Sequence, residues 1–169
     1  PTPGVSEENL DFTIAYQVTD GDGDTIDGTL AINVDDDTPT LGEDANLTAY
    51  LDDAAVGSDG NAGGTDDQSP DTVNLTGTLD HSYGADGQGT VLLVDTAATS
   101  LPTGFSVDIN DAGTLLTIYQ GTVDTGTAVV SVTLDDTTSG GYTVAQLAAI
   151  DHPTPGVSEE NLDFTIAYQ

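Results

Sequence analysis

The chain has no lysine and no arginine, yet it carries 30 aspartates and glutamates, for a formal charge of −30 over 169 residues. Apart from His81, His152 and the α-amino group, nothing in it can be positively charged. No carboxylate can be paired by a Lys or Arg side chain, so crowded acids stay solvated or are neutralised by ions from outside. A polyanion of this kind repels nucleic acid and anionic membrane surfaces, which excludes both as partners. Cysteine is absent too, leaving no disulfide and no thiolate metal site. No apolar run approaches the roughly 20 residues of a membrane-spanning helix, so direct membrane insertion is not expected. Leu, Ile, Val and Phe number 39; at about 23% they lie just above the level at which a highly charged chain stays unfolded. A core can form, but against the self-repulsion of the net charge.

Among the acids, Asp outnumbers Glu by 25 to 5. The short Asp side chain suits turns and tight oxygen cages around calcium, so the bias favours bound metal over a merely hydrated face. Two carboxylates about 4 Å apart repel by about 1 kcal/mol in water and about 4 kcal/mol at an effective dielectric near 20, which makes external counter-ions valuable wherever acids cluster.

Residues 1–17, PTPGVSEENLDFTIAYQ, recur identically as residues 153–169, a period of 152 residues. That period is one domain long, not one turn of a solenoid, and describes near-identical domains in tandem. The opening falls in mid-pattern, so the chain reads as an excerpt from a longer array.

The expected secondary structure is almost entirely β. Thr supplies 27 residues and Val with Ile another 21, all β-branched. Leu10, Phe12, Ile14, Tyr16 and Val18 alternate with polar or small residues, and Ile26, Leu30, Ile32 and Val34 continue the alternation beyond Asp20-Gly21-Asp22-Gly23-Asp24. This predicts a hairpin with one buried face. Further strands are expected near 46–51, 73–79, 89–95, 104–109, 114–120, 127–134 and 141–146, with the first repeated at 162–169. Thr143–Ile150 is the only stretch with any helical character, and it is weak. Residues 54–72 are too polar and glycine-rich for a strand and form one long acidic loop. Short strands at this spacing predict an all-β, Greek-key (Ig- or cadherin-like) sandwich.

The acidic, proline-bearing segment after the hairpin reads as an interdomain linker, which divides the chain into 1–37, a closing hairpin with its linker, and 38–169, the main sandwich. Residues 162–169 then supply one strand without its hairpin partner. Either residues 1–37 fill that place, within the chain or by strand swapping from a neighbouring copy, or the last strand frays.

Several acid clusters are candidate metal ligands. Asp20, Asp22 and Asp24, separated by glycines, let the backbone curl so that carboxylates converge, as calcium with its roughly six to eight oxygens requires. The spacing is not that of an EF-hand, since Thr25 stands where the turn glycine belongs and Ala31 where the bidentate Glu belongs. Asp35, Asp36 and Asp37 form a triple acid at the expected junction. Glu7-Glu8 and their copies Glu159-Glu160, with Glu8 and Glu160 the preferred ligands, lie just before a strand and are placed to close such a site, as are Glu43-Asp44. Asp52-Asp53 and Asp66-Asp67 bracket the long loop and suggest an ion that pins it. Asp135-Asp136 is explained by turn chemistry alone.

No catalytic constellation emerges. Asp80-His81 and Asp151-His152 are Asp–His pairs, but no nucleophile elbow, Cys or basic group completes them, and the two histidines lack zinc spacing. The chain is not expected to be an enzyme.

The string VTDGDGDTIDGTLAINVDDDTPT at 18–40 resembles the closing hairpin and linker of tandem repeats in giant RTX-type bacterial adhesins exported by type I secretion. The segments YLDDAAVGSDGNAGGTDD (50–67), TGTLDHSYGADG (76–87), LPTGF (101–105) and AIDHP (149–153) agree with the same family, so the resemblance covers nearly the whole chain. It implies a non-catalytic, calcium-stabilised extender that projects distal ligand-binding domains from the cell surface for adhesion and biofilm formation, with neighbouring repeats as its partners. It implies Ca2+ ligation by Asp20, Asp22, Asp24 and Asp35–Asp37. Asp52-Asp53-Ala54 departs from the family pattern in being a shorter acid run. The alternative reading is an adhesive domain that itself binds a glycan or another cell surface.

Overall fold

A computed structural model describes residues 9–43, 47–56, 72–151 and 161–169. Within them the protein is all-β, without an α-helix and with several antiparallel sheets, an arrangement consistent with a β-sandwich. The strands in chain order are β1 (Leu10–Thr19), β2 (Thr25–Val34), β3 (Thr40–Leu41), β4 (Asn74–Thr78), β5 (His81–Ser82), β6 (Leu93–Val94), β7 (Phe105–Ile109), β8 (Leu115–Gln120), β9 (Thr127–Leu134), β10 (Gly141–Gln146) and β11 (Ala167–Tyr168). One short 3-10 turn spans Asp53–Ala55. The chain forms two compact units, one of residues up to Thr40 with Ser82–Gly87, the other of Leu41–His81 with Gln88–Gln169.

The first unit contains the expected hairpin. β1 and β2 pair antiparallel over their whole lengths, Leu10 opposite Val34 and Thr19 opposite Thr25. Because side chains alternate across a strand, Leu10, Phe12, Ile14, Tyr16 and Val18 share a face with their partners Val34, Ile32, Leu30 and Ile26. The expectation of one buried face is not met, because β1 and β2 form a two-stranded sheet of their own: the nine apolar side chains range from 38% exposed at Ile32 to 70% at Ile26.

The second unit is built on a five-stranded sheet of order β4-β10-β9-β8-β7. Leu116 pairs with Val132 and Ile118 with Val130, and Val132 and Val130 in turn lie opposite Val144 and Gln146. These rows carry the core, in which Leu116, Ile118 and Val129 are fully buried. Simple alternation cannot bury Val129 and Val130 together. A register shift between Ile118 and Tyr119, which pair with Val130 and Ala128, leaves Val129 as the extra residue of a β-bulge, and the bulge turns both valines inward.

Residues 162–169, the copy of 10–17, also lie in this unit. Ala167 and Tyr168 pair with Val94 and Leu93, Thr165 bridges Ser100, and Phe164 meets Phe105 edge-on at 5.2 Å between ring centroids. Leu162, Phe164, Ile166 and Tyr168 are partly buried, and burial pushes the Tyr168 phenol above its ordinary pKa.

Three further expectations change. Residues 47–51 of the strand expected at 46–51 form no strand, and Leu47 and Tyr50 remain exposed; β-propensity has no effect where no pairing edge is offered. The helical character at Thr143–Ile150 is overridden because residues up to Gln146 are paired with β9 and β4. The strand expected at 89–95 shortens to Leu93–Val94, because Val91 and Leu92 bond to different segments, at Thr137 and Gln169.

Candidate metal centres

The turn between β1 and β2 is shaped by Asp20. Its backbone N–H donates to the Asp24 carbonyl at 2.9 Å, and its Oδ1 accepts the N–H groups of Gly23 and Asp24 at 3.0 and 2.8 Å. Gly23 at φ +103° supplies the left-handed residue that tightens the loop. The result gathers Asp20, Asp22 and Asp24, with one oxygen from each within 4.8 Å of the others, all three side chains exposed. Hydrogen bonding with the Asp22 carboxyl, followed by the backbone N–H groups, holds Asp20 below the ordinary carboxylate pKa. Among the described residues this is the one group of three acidic or imidazole side chains close enough to hold a metal ion.

The triple acid after the hairpin is used differently. Asp37 Oδ1 accepts its neighbour Thr38 N–H at 2.9 Å and Oδ2 accepts Ala85 N–H at 2.7 Å, fastening the 82–87 loop. Asp35 is exposed and Asp36 half-buried. No third acidic side chain joins Asp35, Asp36 or Asp37 among the described residues. Glu8, Glu160, Asp66 and Asp67 lie outside the described residues, as does His152.

A second candidate, in the other unit, involves a residue that the acid clusters do not reveal. Asp52 caps the 3-10 turn, its Oδ1 accepting Ala54 N–H at 2.8 Å. It is only 7% exposed, and its Oδ2 is buried with no hydrogen-bond partner. Asp53 Oδ1 accepts Ile150 N–H at 2.9 Å and the side-chain amide of Gln146. Gln146 is 9% exposed, and its Oε1 too is buried without a partner. Its amide orientation is dictated by Asp53, since the opposite one would set oxygen against carboxylate. The backbones converge as well: Asp52 N–H donates to Thr72 O at 2.9 Å and Gln146 N–H to Val73 O at 2.7 Å.

The two orphan atoms are both acceptors, and an unsatisfied buried polar oxygen costs about 1–3 kcal/mol, more when charged. What such atoms lack is a donor or a cation. The chain has no Lys or Arg to supply one. Carboxylate and amide carbonyl oxygens are of the kind that hard divalent ions bind. Gln146 escapes a search for acid clusters because it is neutral. Its sequence signal is positional: in Tyr142, Val144, Gln146 a polar side chain follows two on the core-facing parity of β10.

The histidine within the described residues has a structural setting. His81 Nδ1 donates to Leu79 O at 2.7 Å, and the ring packs so near Gly140, at φ +72°, that a Cβ there would lie 3.1 Å from it.

Compared with protein-family models, curated proteins and solved structures, the chain matches none of them.

Proposed function

We propose that this protein is a non-catalytic, calcium-stabilised extender domain of a tandem-repeat bacterial surface adhesin, with a Greek-key β-sandwich as its unit of length. Its place is extracellular, its partners are neighbouring repeats of the same chain, and its task is to hold distal binding domains away from the cell. The observation that carries the reading is Asp52 Oδ2, a buried, unpartnered carboxylate oxygen in a chain with no Lys or Arg side chain to meet it. The identical 17 residues at a spacing of 152 support the tandem arrangement.

The physical mechanism follows from charge. Without divalent ions the clustered carboxylates repel one another and the chain is poorly compacted, a state suited to threading through a secretion channel. Extracellular calcium, at levels matched to weak extracellular sites, fills the oxygen clusters. An ion that binds only the folded chain stabilises it by about 1.4 kcal/mol when its concentration is tenfold above Kd, and independent sites add. In this reading Asp52, Asp53 and Gln146 hold an ion inside the domain, and Asp20, Asp22 and Asp24 hold one at the hairpin tip.

Thermal melting in EDTA and in millimolar calcium tests the proposal. Calcium should raise the melting temperature by several degrees; equal melting in the two buffers defeats it.

A further inference from the structure

Beyond β10 the chain is gripped by side chains instead of by strand pairing. The ladder ends at Leu147, whose N–H donates to Val129 O at 2.8 Å. Among the described residues no backbone–backbone hydrogen bond holds residues 148–151. Ile150 and Asp151 are each caught by a side chain from elsewhere in the same unit.

The grip on Asp151 is complete. Gln120, the last residue of β8, donates from Nε2 to Asp151 O at 2.7 Å and accepts Asp151 N–H on Oε1 at 2.9 Å. Both ends of the amide are used, as a paired strand residue uses its N–H and C=O, so this grip needs nothing further.

The grip on Ile150 is not. Asp53 Oδ1 accepts Ile150 N–H at 2.9 Å and also the Gln146 side-chain amide. Asp53 opens the 3-10 turn that Asp52 caps, and the Gln146 amide nitrogen lies 3.5 Å from Ala148 O. The nitrogen of Gln146 is thus turned toward residues 147–151, and its oxygen is left over. Gln146 Oε1 and Asp52 Oδ2 are buried without a partner, on residues 9% and 7% exposed. Buried acceptors that meet neither donor nor cation favour opening to water, and two successive carboxylates in a chain without Lys or Arg add repulsion to the same effect. Opening here takes away the acceptor of Ile150.

We infer that residues 147–151 form a strap whose hold at Ile150 is conditional on a hard divalent cation: an ion on the unpartnered oxygens of Asp52 and Gln146 closes the Asp53 clasp, and its loss frees Ile150 while Gln120 keeps Asp151. The inference rests on the cation reading of this site and adds what the ion controls. Gln146 is the relay. With Oε1 on a cation its amide is polarised, Nε2–H becomes the stronger donor to Asp53, and the carboxylate that receives Ile150 is fixed. Asp53 acts through its Oδ1 as a positioning residue. The strap leads toward the repeated stretch that begins at Pro153, so the ion sets how firmly the chain is held just before the repeat.

Amide hydrogen exchange of the full chain, followed by NMR in EDTA and in millimolar calcium, tests the clasp. Calcium should slow exchange at Ile150 about tenfold relative to Gly113 and Gly121, whose amides bond to Asn110 O and Gly104 O in the loops flanking β8. Asp53→Ala should leave Ile150 in fast exchange in both buffers, and Asp53→Asn, which keeps an accepting oxygen, should restore its protection in calcium. Gln120→Ala should speed exchange at Asp151 equally in both buffers and leave the calcium response of Ile150 intact. A raised melting temperature in calcium without selective slowing at Ile150 overturns the clasp and spares the cation reading. So does Asp53→Asn behaving as Asp53→Ala, or loss of the Ile150 response in Gln120→Ala. Equal melting together with equal exchange in the two buffers removes the cation reading and the clasp alike.

Discussion

Tyr142 lies across Gly77, its directly opposed residue in the β4–β10 ladder, so closely that a Cβ on the glycine would come within 2.6 Å of the ring's Cζ. The hairpin repeats the arrangement with Tyr16 and its partner Gly28, where a Cβ would lie 2.7 Å from the phenol oxygen. In each case the aromatic ring covers a strand glycine that has no side chain to pack, and the bare glycine admits the ring.

Gly77→Val should destabilise the sandwich unit by about 1–3 kcal/mol, although valine is the better strand former, because the displaced ring outweighs propensity. Gly77→Val with Tyr142→Thr should recover much of the loss. Urea unfolding of the four proteins of this cycle measures the coupling; additive effects would show that ring and glycine are independent.

Asp52→Asn should raise the stability of the metal-free protein, by about 1–3 kcal/mol, since it removes a buried carboxylate that has no counter-charge. The same substitution should reduce the stabilisation gained from calcium. Melting curves of parent and variant in EDTA and in calcium should therefore cross in rank. A variant less stable than its parent in EDTA would show that Asp52 is satisfied without an ion.

Gly23→Ala should loosen the acidic turn by about 1–2 kcal/mol, because φ +103° is strained for any side chain, while Gly21→Ala, with neither a positive φ nor a neighbour within 4 Å, should leave it almost unchanged. Terbium luminescence reports the site: Gly23→Ala should weaken ion binding and Gly21→Ala should not. Equal binding by the two variants would separate the turn's shape from its affinity.

The Asp136 carboxyl is held down to about 2 by the Ser139 and Thr138 N–H groups and the Thr138 hydroxyl. Its folded value lies below its ordinary value of 3.8. The stabilisation is therefore complete above pH ~4 and disappears as the pH falls through about 2. Asp136→Ala should be less stable than the parent near neutrality and converge with it in that acid window. Urea midpoints across the range measure it, and a gap that persists below pH ~2 would assign the effect to turn geometry instead of ionisation.

The two strands of the β1–β2 hairpin and the turn between them were readable from the chain, because alternation and an Asp-Gly turn are local signals, but the exposure of the apolar face was not. The bounds of β9, whose Val- and Thr-rich run ends at turn residues, and those of β10 were readable too. The convergence of Asp20, Asp22 and Asp24 was equally local. Asp35–Asp37 looks identical in kind, yet Asp37 fastens a loop 48 residues away, a use that sequence spacing does not disclose. The strand expected at 46–51 had suitable residues and no edge to join.

By itself the amino-acid sequence determined the all-β class, the repeat and the absence of any Lys or Arg cation, since each depends on composition or on neighbours along the chain. Tertiary structure alone decided that Val129 bulges into the core and that Gln146 hydrogen-bonds Asp53 beside the buried Asp52. Those outcomes depend on pairing between distant strands, where a shift of one residue exchanges the inward and outward faces.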